Sequence, residues 1–562
     1  MTAAEYIVDF LISRGVTDAF GIPGGVVLEI LYAMERRKNE FTPHLAFHEQ
    51  GSSFAACGYA QTTGKLGVTY ATRGPGFTNM ITAMADAYYD SIPVLFITAH
   101  DSNGKKPGMR IQNNQEMDTV KIVSEITKYA ARVDTAEDVP VQLERAYEAA
   151  MTGRRGPVFL DFFSPAMRKE VSVTDLKDTE VAVSEAVISA ADEIEQRVKT
   201  AKRPVILIGS GVKQSCTTQL VEQFAEQSRI PVLSSRMAQD ALPGSPMYFG
   251  FIGSHALRHS AFILSKADLI IALGNRLAFP VNSQSFRPIV ENTTTIRIDA
   301  DPSEFLREVP NSIPFAADLT ALMPELLHRQ IGYIDAEDWL SVCRKLKNDL
   351  NQWDKESIHE PIMALMERFG PESPITCDVG NHGFWVSYAH AYQEVSNRIL
   401  YTNSFGSLGC ALPKAIGAYY GSRLPVMCFI GDQGVQFNIQ ELQFIAQHKL
   451  PITIVVLNNH SSGMIRKREK ELYGENFVHT TFDSGFGVPD LKKIASAYGL
   501  AYYKMDNAES AKAFEADSLL PSLVEMEVKE AHDLRPDLPK GHACQNLTPV
   551  LPEDLYQDLN KL

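Results

Sequence analysis

The chain has 562 residues, too many for a single core, so roughly two to four domains are expected. Its 45% apolar and 22% charged content is that of a globular protein, and a net charge of −15 argues against a nucleic-acid or anionic-membrane surface. No apolar run is as long as a membrane span, and acids inside the amphipathic stretch 1–16 argue against a signal peptide.

In chain order, the first block covers residues 1–168. Apolar periodicity predicts helices over 3–14, 26–35, 51–63 and 78–89, alternating with strands over 18–20, 45–47, 67–71 and 93–99. Such alternation reads as a doubly wound parallel sheet. The polar stretch 169–187 reads as a linker. A second block, 188–331, predicts a helix over 190–201 and strands over 204–207, 231–233, 269–273 and 294–298. Gly209-Ser210-Gly211 follows the first of these strands and Asp299 the last, a weak nucleotide-type pattern. A second linker is expected near 332–338. The third block is 355–532, and the Pro-rich tail 533–562 reads as a cap anchored by Leu547, Val550, Leu551 and Leu555. The fold class is α/β, with three doubly wound parallel-sheet domains. The seven cysteines (Cys57, Cys216, Cys343, Cys377, Cys410, Cys428 and Cys544) form no CxxC pair and read as small core residues in a reducing, cytoplasmic setting.

The most informative stretch lies in the third block. The apolar run 425–430, a helical pattern over 438–448 and the β-branched run 452–457 form a βαβ unit, whose two strands must be parallel and share a carboxyl edge. Asp432 follows the first strand and Asn459 the second, at the edge where open α/β sheets bind ligands. A carboxylate, an amide oxygen and a backbone carbonyl are hard donors suited to Mg²⁺ that also carries phosphate oxygens. Gly431 and Gly434 allow a phosphate close to the backbone.

Gly431-Asp432-Gln433, followed by Asn458-Asn459, resembles the cofactor motif of the thiamine-diphosphate enzyme superfamily, with Gln433 in place of the usual third glycine. The resemblance implies Asp432, Asn459 and the Ser461 carbonyl as Mg²⁺ ligands. Supporting segments follow in order. Phe47-His48-Glu49-Gln50-Gly51 resembles the segment whose glutamate hydrogen-bonds the aminopyrimidine N1′. A carboxyl there turns the neighbouring amine into an internal base, which makes Glu49 the implied catalytic acid. Gly21-Ile22-Pro23-Gly24-Gly25 and Thr72-Arg73-Gly74-Pro75-Gly76-Phe77-Thr78-Asn79 resemble the family's first-domain loops, implying cofactor contacts at Pro23, Thr72 and Asn79. Asn381 and His382 lie in a segment similar to one that touches the diphosphate, and Gly406 and Leu408 in one that holds the cofactor bent. Leu408 would wedge between the two rings.

The acetohydroxyacid-synthase catalytic subunit is the nearest family member by this reading. Ser462-Gly463-Met464-Ile465 continues its pattern after Asn459 and Ser461, and Asn114-Gln115-Glu116 parallels its Phe-Gln-Glu, which places Gln115 on the thiazolium side. Two positions depart from it. Arg468 stands where synthases carry an acceptor-pocket Trp, and Pro280 where they carry a carboxylate-binding Arg. Arg73 replaces a small loop residue. Arg73 and Arg468 are therefore candidate partners of an anionic substrate.

The implied activity is decarboxylation of a 2-keto acid such as pyruvate, with ligation of the acyl unit to a carbonyl acceptor. A simple decarboxylase, an acyl-transferring or oxidising relative and a silent cofactor-binding subunit are the alternatives. An NAD-linked oxidoreductase is disfavoured, because no strand-coupled GxGxxG with a downstream acid appears. FAD is compatible with the central block. The expected assembly is a homodimer or homotetramer with the site between subunits, and neither nucleic acid nor membrane is an expected partner.

Overall fold

The computed structural model describes residues 1–102, 109–110, 113–172, 184–278, 285–333, 335–514, 519–528 and 533–562. Three sheets of six parallel strands carry the architecture. The first contains β1 (Asp18–Gly21), β2 (Thr42–Leu45), β3 (Gly67–Tyr70), β4 (Val94–His100), β5 (Tyr129–Val133) and β6 (Val158–Phe163), in the order β2-β1-β3-β4-β6-β5. The second contains β7 (Pro204–Ile208), β8 (Val232–Ser235), β9 (Tyr248–Ile252), β10 (Leu269–Leu273), β11 (Thr294–Asp299) and β12 (Ser312–Ala316), in the order β12-β11-β10-β7-β8-β9. The third contains β13 (Ile375–Cys377), β14 (Ile399–Leu400), β15 (Val426–Gly431), β16 (Ile452–Asn458), β17 (Ala501–Met505) and β18 (Ser522–Glu527), in the order β14-β13-β15-β16-β18-β17.

The outer sheets thus share one strand order, counted within each sheet, a repeat that the sequence did not reveal. The middle sheet has the order of dinucleotide-binding folds, counted from its own first strand. Helices cover both faces, so the central strands are apolar throughout. Ile452–Asn458 and Val94–His100 are buried at every position.

The first and third sheets do not stand apart. Helix Glu49–Thr63 packs along helix Ala411–Ser422, and side chains of both domains merge into one apolar core. Polar pairs cross the same boundary. Lys414 meets Asp86 at 3.1 Å with both side chains fully buried, and Asp18 joins His44 and Arg423. The middle sheet has its own core, which the C-terminal tail completes through Cys544, Leu551 and Leu559. Arg258, in a fully buried pair with Asp354, also donates to the carbonyls of Leu547 and Pro549 and so pins the tail. Of the expected anchors, Leu547 and Leu551 are buried and Leu555 packs against the core, but Val550 is 72% exposed. Its neighbour Pro549 turns the chain inward through its carbonyl instead.

Several element boundaries differ from the sequence reading. The strand expected over 45–47 lies at Thr42–Leu45, and the following helix begins at Glu49 instead of residue 51. His48 is its N-cap, with Nδ1 accepting the Gln50 amide at 3.1 Å. The helix expected over 438–448 is shortened to Glu441–Gln447, after a 3₁₀ turn at Gly434–Gln436. The Asn438 side chain donates to the Gly409 carbonyl at 3.0 Å, which ties this end to another loop. Ser184 caps helix Glu185–Val198, so the first linker ends earlier than expected; its residues 173–183 lie outside the described ones. Helix Ala336–Leu350 likewise begins inside the expected second linker. No described helix is long and apolar enough to cross a membrane.

Candidate active site

Two clusters of polar residues form, one at the edge of each outer sheet. In the third domain, β15 and β16 pair in parallel with Gly431 opposite Leu457, which brings Asp432 and Asn459 out at the same edge. Asp432 Oδ1 accepts its neighbour's amide, from Gln433, at 2.8 Å, while Oδ2 is buried without a partner. Burial lifts the Asp432 carboxyl to about 6 against the opposing pull of the Gln433, His460 and Ser461 amides. A buried carboxylate oxygen with no partner is costly in an isolated protein and suits a cation ligand.

The Asn459 and Asn381 amides converge on Gly463, where a Cβ would lie 2.8 and 3.0 Å from their nitrogens. Any side chain at 463 would push apart the two amides that the loop gathers. The Ser461 carbonyl accepts the Gly463 amide at 2.9 Å and keeps a second lone pair. Ser461 Oγ donates to the Thr480 carbonyl at 2.9 Å and Ser462 Oγ to Gln433 Oε1 at 3.2 Å. His382 is buried beside Gly431, and burial holds it at about 4, so it is neutral near pH 7. Its Nε2 has no partner.

Leu408 is 37% exposed at this edge, and Met464 is 41% exposed, so neither is a core side chain. The loop that carries Gly406 (φ +78°) and Leu408 is clamped from three directions. Asp378 accepts the Gly409 and Cys410 amides at 2.8 and 3.1 Å. Asp90, from the first domain, accepts the Asn403 and Ser404 amides at 3.0 and 2.9 Å. From the middle domain, Arg236 donates to Asn403 and Arg276 to Ser404. The sequence reading assigned none of these clamps. Their partners are hundreds of residues away, or sit beside a motif that drew attention for another reason, as Asp378 does.

In the first domain, Glu49 opens its helix at the end of β2. Asn79 Nδ2 donates to Glu49 Oε2 at 2.9 Å, and Gly76 lies close to Oε1. Thr72 packs against Gly24, beside the exposed Pro23. Gln115 is exposed with φ +61°, and its side chain rests on Gly74. An αL conformation in a residue other than glycine costs about 1–2 kcal/mol, which its surroundings must offset. Arg73 is paired with Asp101, and this hydrogen bond holds Asp101 below the usual carboxylate range. Arg468 is 67% exposed on helix Gly463–Tyr473 and pairs with Glu471 at 3.2 Å. Pro280 lies outside the described residues. Among the described residues, no hydrogen bond or ion pair joins Glu49, Thr72 or Asn79 to Asp432, Asn459 or Asn381. The contacts bring each set together within its own domain.

A third feature is a cavity of about 240 Å³ at the carboxyl edge of β7, β10 and β11, lined by Gly209, Gly211, Asn275, Arg276, Asp299 and Ser404 among others. The two glycine amides do not face it freely. Gly209 N donates to the Leu273 carbonyl at 3.0 Å and Gly211 N to that of Gly274 at 3.1 Å. These glycines permit backbone crossing and form no phosphate cradle.

Residues 1–122 match the family model described as the thiamine pyrophosphate enzyme, N-terminal TPP binding domain. Residues 191–326 match its central domain and residues 378–526 its C-terminal TPP binding domain. The chain is 32% identical over 560 residues to the acetolactate synthase large subunit of Lactococcus lactis subsp. lactis (strain IL1403), covering 96% of this chain and 95% of that one. It is 30% identical to the acetolactate synthase isozyme 2 large subunit of Escherichia coli (strain K12), covering 96% and 98%. The isozyme 1 large subunit of the same strain is also 30% identical, with 96% of each chain covered. The chain therefore belongs to the thiamine pyrophosphate enzyme family, among the relatives of acetolactate synthase large subunits.

Proposed function

We propose that this enzyme decarboxylates a 2-keto acid, best represented by pyruvate, and joins the acyl unit to a carbonyl acceptor. The observation that carries this reading is the buried, partnerless Oδ2 of Asp432 beside the Asn459 and Asn381 amides, on a chain whose relatives are acetolactate synthases. Thiamine diphosphate would supply a nucleophilic ring carbon and an electron sink for the decarboxylation. Asp432, Asn459 and the Ser461 carbonyl would hold Mg²⁺, with Gly431, Gln433, Gly434, Ser462, Gly463, Asn381 and His382 around the diphosphate. Gly406, Leu408 and Met464 would shape the ring site from the same domain. Pro23, Thr72, Asn79 and Gln115 would flank it from the first domain. Glu49 would hold a proton at its carboxyl, with Asn79 orienting one oxygen and leaving the other toward the cofactor ring.

The two clusters complete one another if the first domain of one copy faces the third domain of another, so we infer a homodimer or a larger homo-oligomer. Support comes from apolar side chains exposed near both clusters: Leu45 and Phe47 on one side, and Phe405, Leu408, Phe437 and Ile465 on the other. The central cavity lies at the sheet edge where FAD was expected, but the Gly209 and Gly211 amides are spent on backbone carbonyls and do not fit a pyrophosphate, and the proposed chemistry needs no step through it. A cytoplasmic setting accords with seven free cysteines, six of them buried. Arg73 and Arg468 would face an anionic group of the acceptor.

The test is to incubate the enzyme, loaded with thiamine diphosphate and Mg²⁺, with pyruvate alone and with candidate acceptors, and to identify products by mass. Poor acetolactate formation from pyruvate alone, with faster turnover on an anionic ketone or aldehyde, is the expected result. Acetolactate formed from pyruvate alone at about 10 s⁻¹ would make this an ordinary synthase. Absence of any CO₂ release would remove the reading altogether.

A further inference from the structure

Glu441 is a buried acid to which the reading above gives no role. It opens helix Glu441–Gln447 in the third domain and is 0% exposed. Neither carboxyl oxygen has a partner in full hydrogen-bond geometry. A buried group left this way calls for an explanation.

The carboxyl reaches across the domain boundary to the first turn of helix Glu49–Thr63. A Cβ on Gly51 would lie 2.3 Å from Glu441 Oε1 and 2.7 Å from its carboxyl carbon. Position 51 therefore has room for this carboxyl only because it is glycine. The amides of Phe47 and His48 face the same group and favour its charged form, but burial outweighs them and raises the carboxyl to about 7. No charged side chain is among the causes of that rise. On the turn it touches, the titratable neighbours are His48 and Glu49. Helix Ala411–Ser422 contributes Lys414, whose charge is already paired with Asp86. Helix Leu491–Tyr498 contributes Lys492 and Lys493, both exposed.

We propose that Glu441 is a positioning residue for Glu49: the third domain uses its carboxyl, set against Gly51, to fix the turn on which Glu49 sits. The proposal rests on the reading of Glu49 as the acid that faces the cofactor ring. An ionised Glu441 draws the Phe47 and His48 amides more strongly than a neutral one, so its charge state decides how firmly the turn before Glu49 is held. The placement of Glu49 is then tied to the protonation of a residue packed on it from another domain.

Glu441→Gln keeps the volume and removes the titration. In cofactor-free protein, the folded carboxyl near 7 binds its proton more tightly than the unfolded reference at 4.5. Wild-type stability is thus fullest below the unfolded value and is lost as pH rises through the folded one. The wild type should lose melting temperature relative to Glu441→Gln between about pH 5 and about pH 8. With thiamine diphosphate and Mg²⁺ bound, cofactor retention should be unchanged, while the inflection that Glu441 imposes on the pH profile of C2–H exchange is lost. Glu441→Asp, which restores the charge, should bring the inflection back in part. If Glu441→Gln does not fold, Gly51→Ala, which presses on the same oxygen, must change that inflection. An unchanged exchange profile overturns the proposal, even if melting changes, because a purely structural role predicts that result. Failure of Glu49→Gln to slow exchange would instead remove the role of Glu49 on which the proposal rests.

Discussion

Gly417 sits where two helices cross at backbone contact, and replacing it by alanine tests how the first and third domains are joined. A Cβ at this position would lie 1.8 Å from the Ala55 carbonyl oxygen and 2.6 Å from the Tyr59 nitrogen. The reverse contact is similar, since a Cβ on Gly58 would lie 2.1 Å from the Lys414 carbonyl oxygen. A carbon–oxygen contact needs about 3.3 Å, so the helices must part by about 1.5 Å. Backbone atoms cannot rotate away as a side chain can. Overpacking of this kind costs about 1–3 kcal/mol or more. Alanine gains about 1 kcal/mol of helix propensity over glycine, which offsets only part of it. Gly417→Ala should therefore lower stability by about 2 kcal/mol. Gly421→Ala, on the same helix, is the control. Its Cβ would meet only threonine side-chain atoms at 3.0–3.2 Å, so its effect should stay within about 1 kcal/mol. Thermal unfolding of both variants measures the difference. C2–H exchange measures its consequence, because the displaced helix begins at Glu49, and a misplacement of about 1 Å can cost about 10²-fold in rate. A Gly417→Ala protein that melts at or above the wild-type temperature, with an unchanged exchange rate, would refute the close-crossing argument.

Three further outcomes are expected. Glu49→Gln should fold and retain cofactor but slow C2–H exchange by about 10²–10⁴, as followed by deuterium exchange and NMR. Asp432→Ala should lose Mg²⁺-dependent retention of thiamine diphosphate on gel filtration, because the cation would lose a carboxylate; wild-type retention would show that the metal is held elsewhere. Asp86→Ala should destabilise the protein by about 3–5 kcal/mol, since it leaves the Lys414 charge buried and unpaired, and Asp86→Leu combined with Lys414→Met should recover much of the loss in thermal unfolding.

The sequence by itself determined the alternation of helices and strands and the place of the third-domain edge where Asp432 and Asn459 emerge. Both follow from local rules. β-Branched runs such as 452–457 form buried parallel strands, and parallel strands put their following residues at one edge. Glu49, Asp432 and their loops were legible because each is a short contiguous pattern. Only the tertiary structure decided which distant residues complete that edge. Asp90, Asp378, Arg236 and Arg276 clamp the loop of Leu408 from three domains, and no local periodicity encodes such contacts. Leu408, of a residue type most often buried, is 37% exposed, because the clamps hold its loop at the rim. Gly51 and Glu441 lie far apart in the chain, and no local pattern marks them as a pair. Their meaning appears only when packing two domains into one core leaves a carboxyl in the space of a missing side chain.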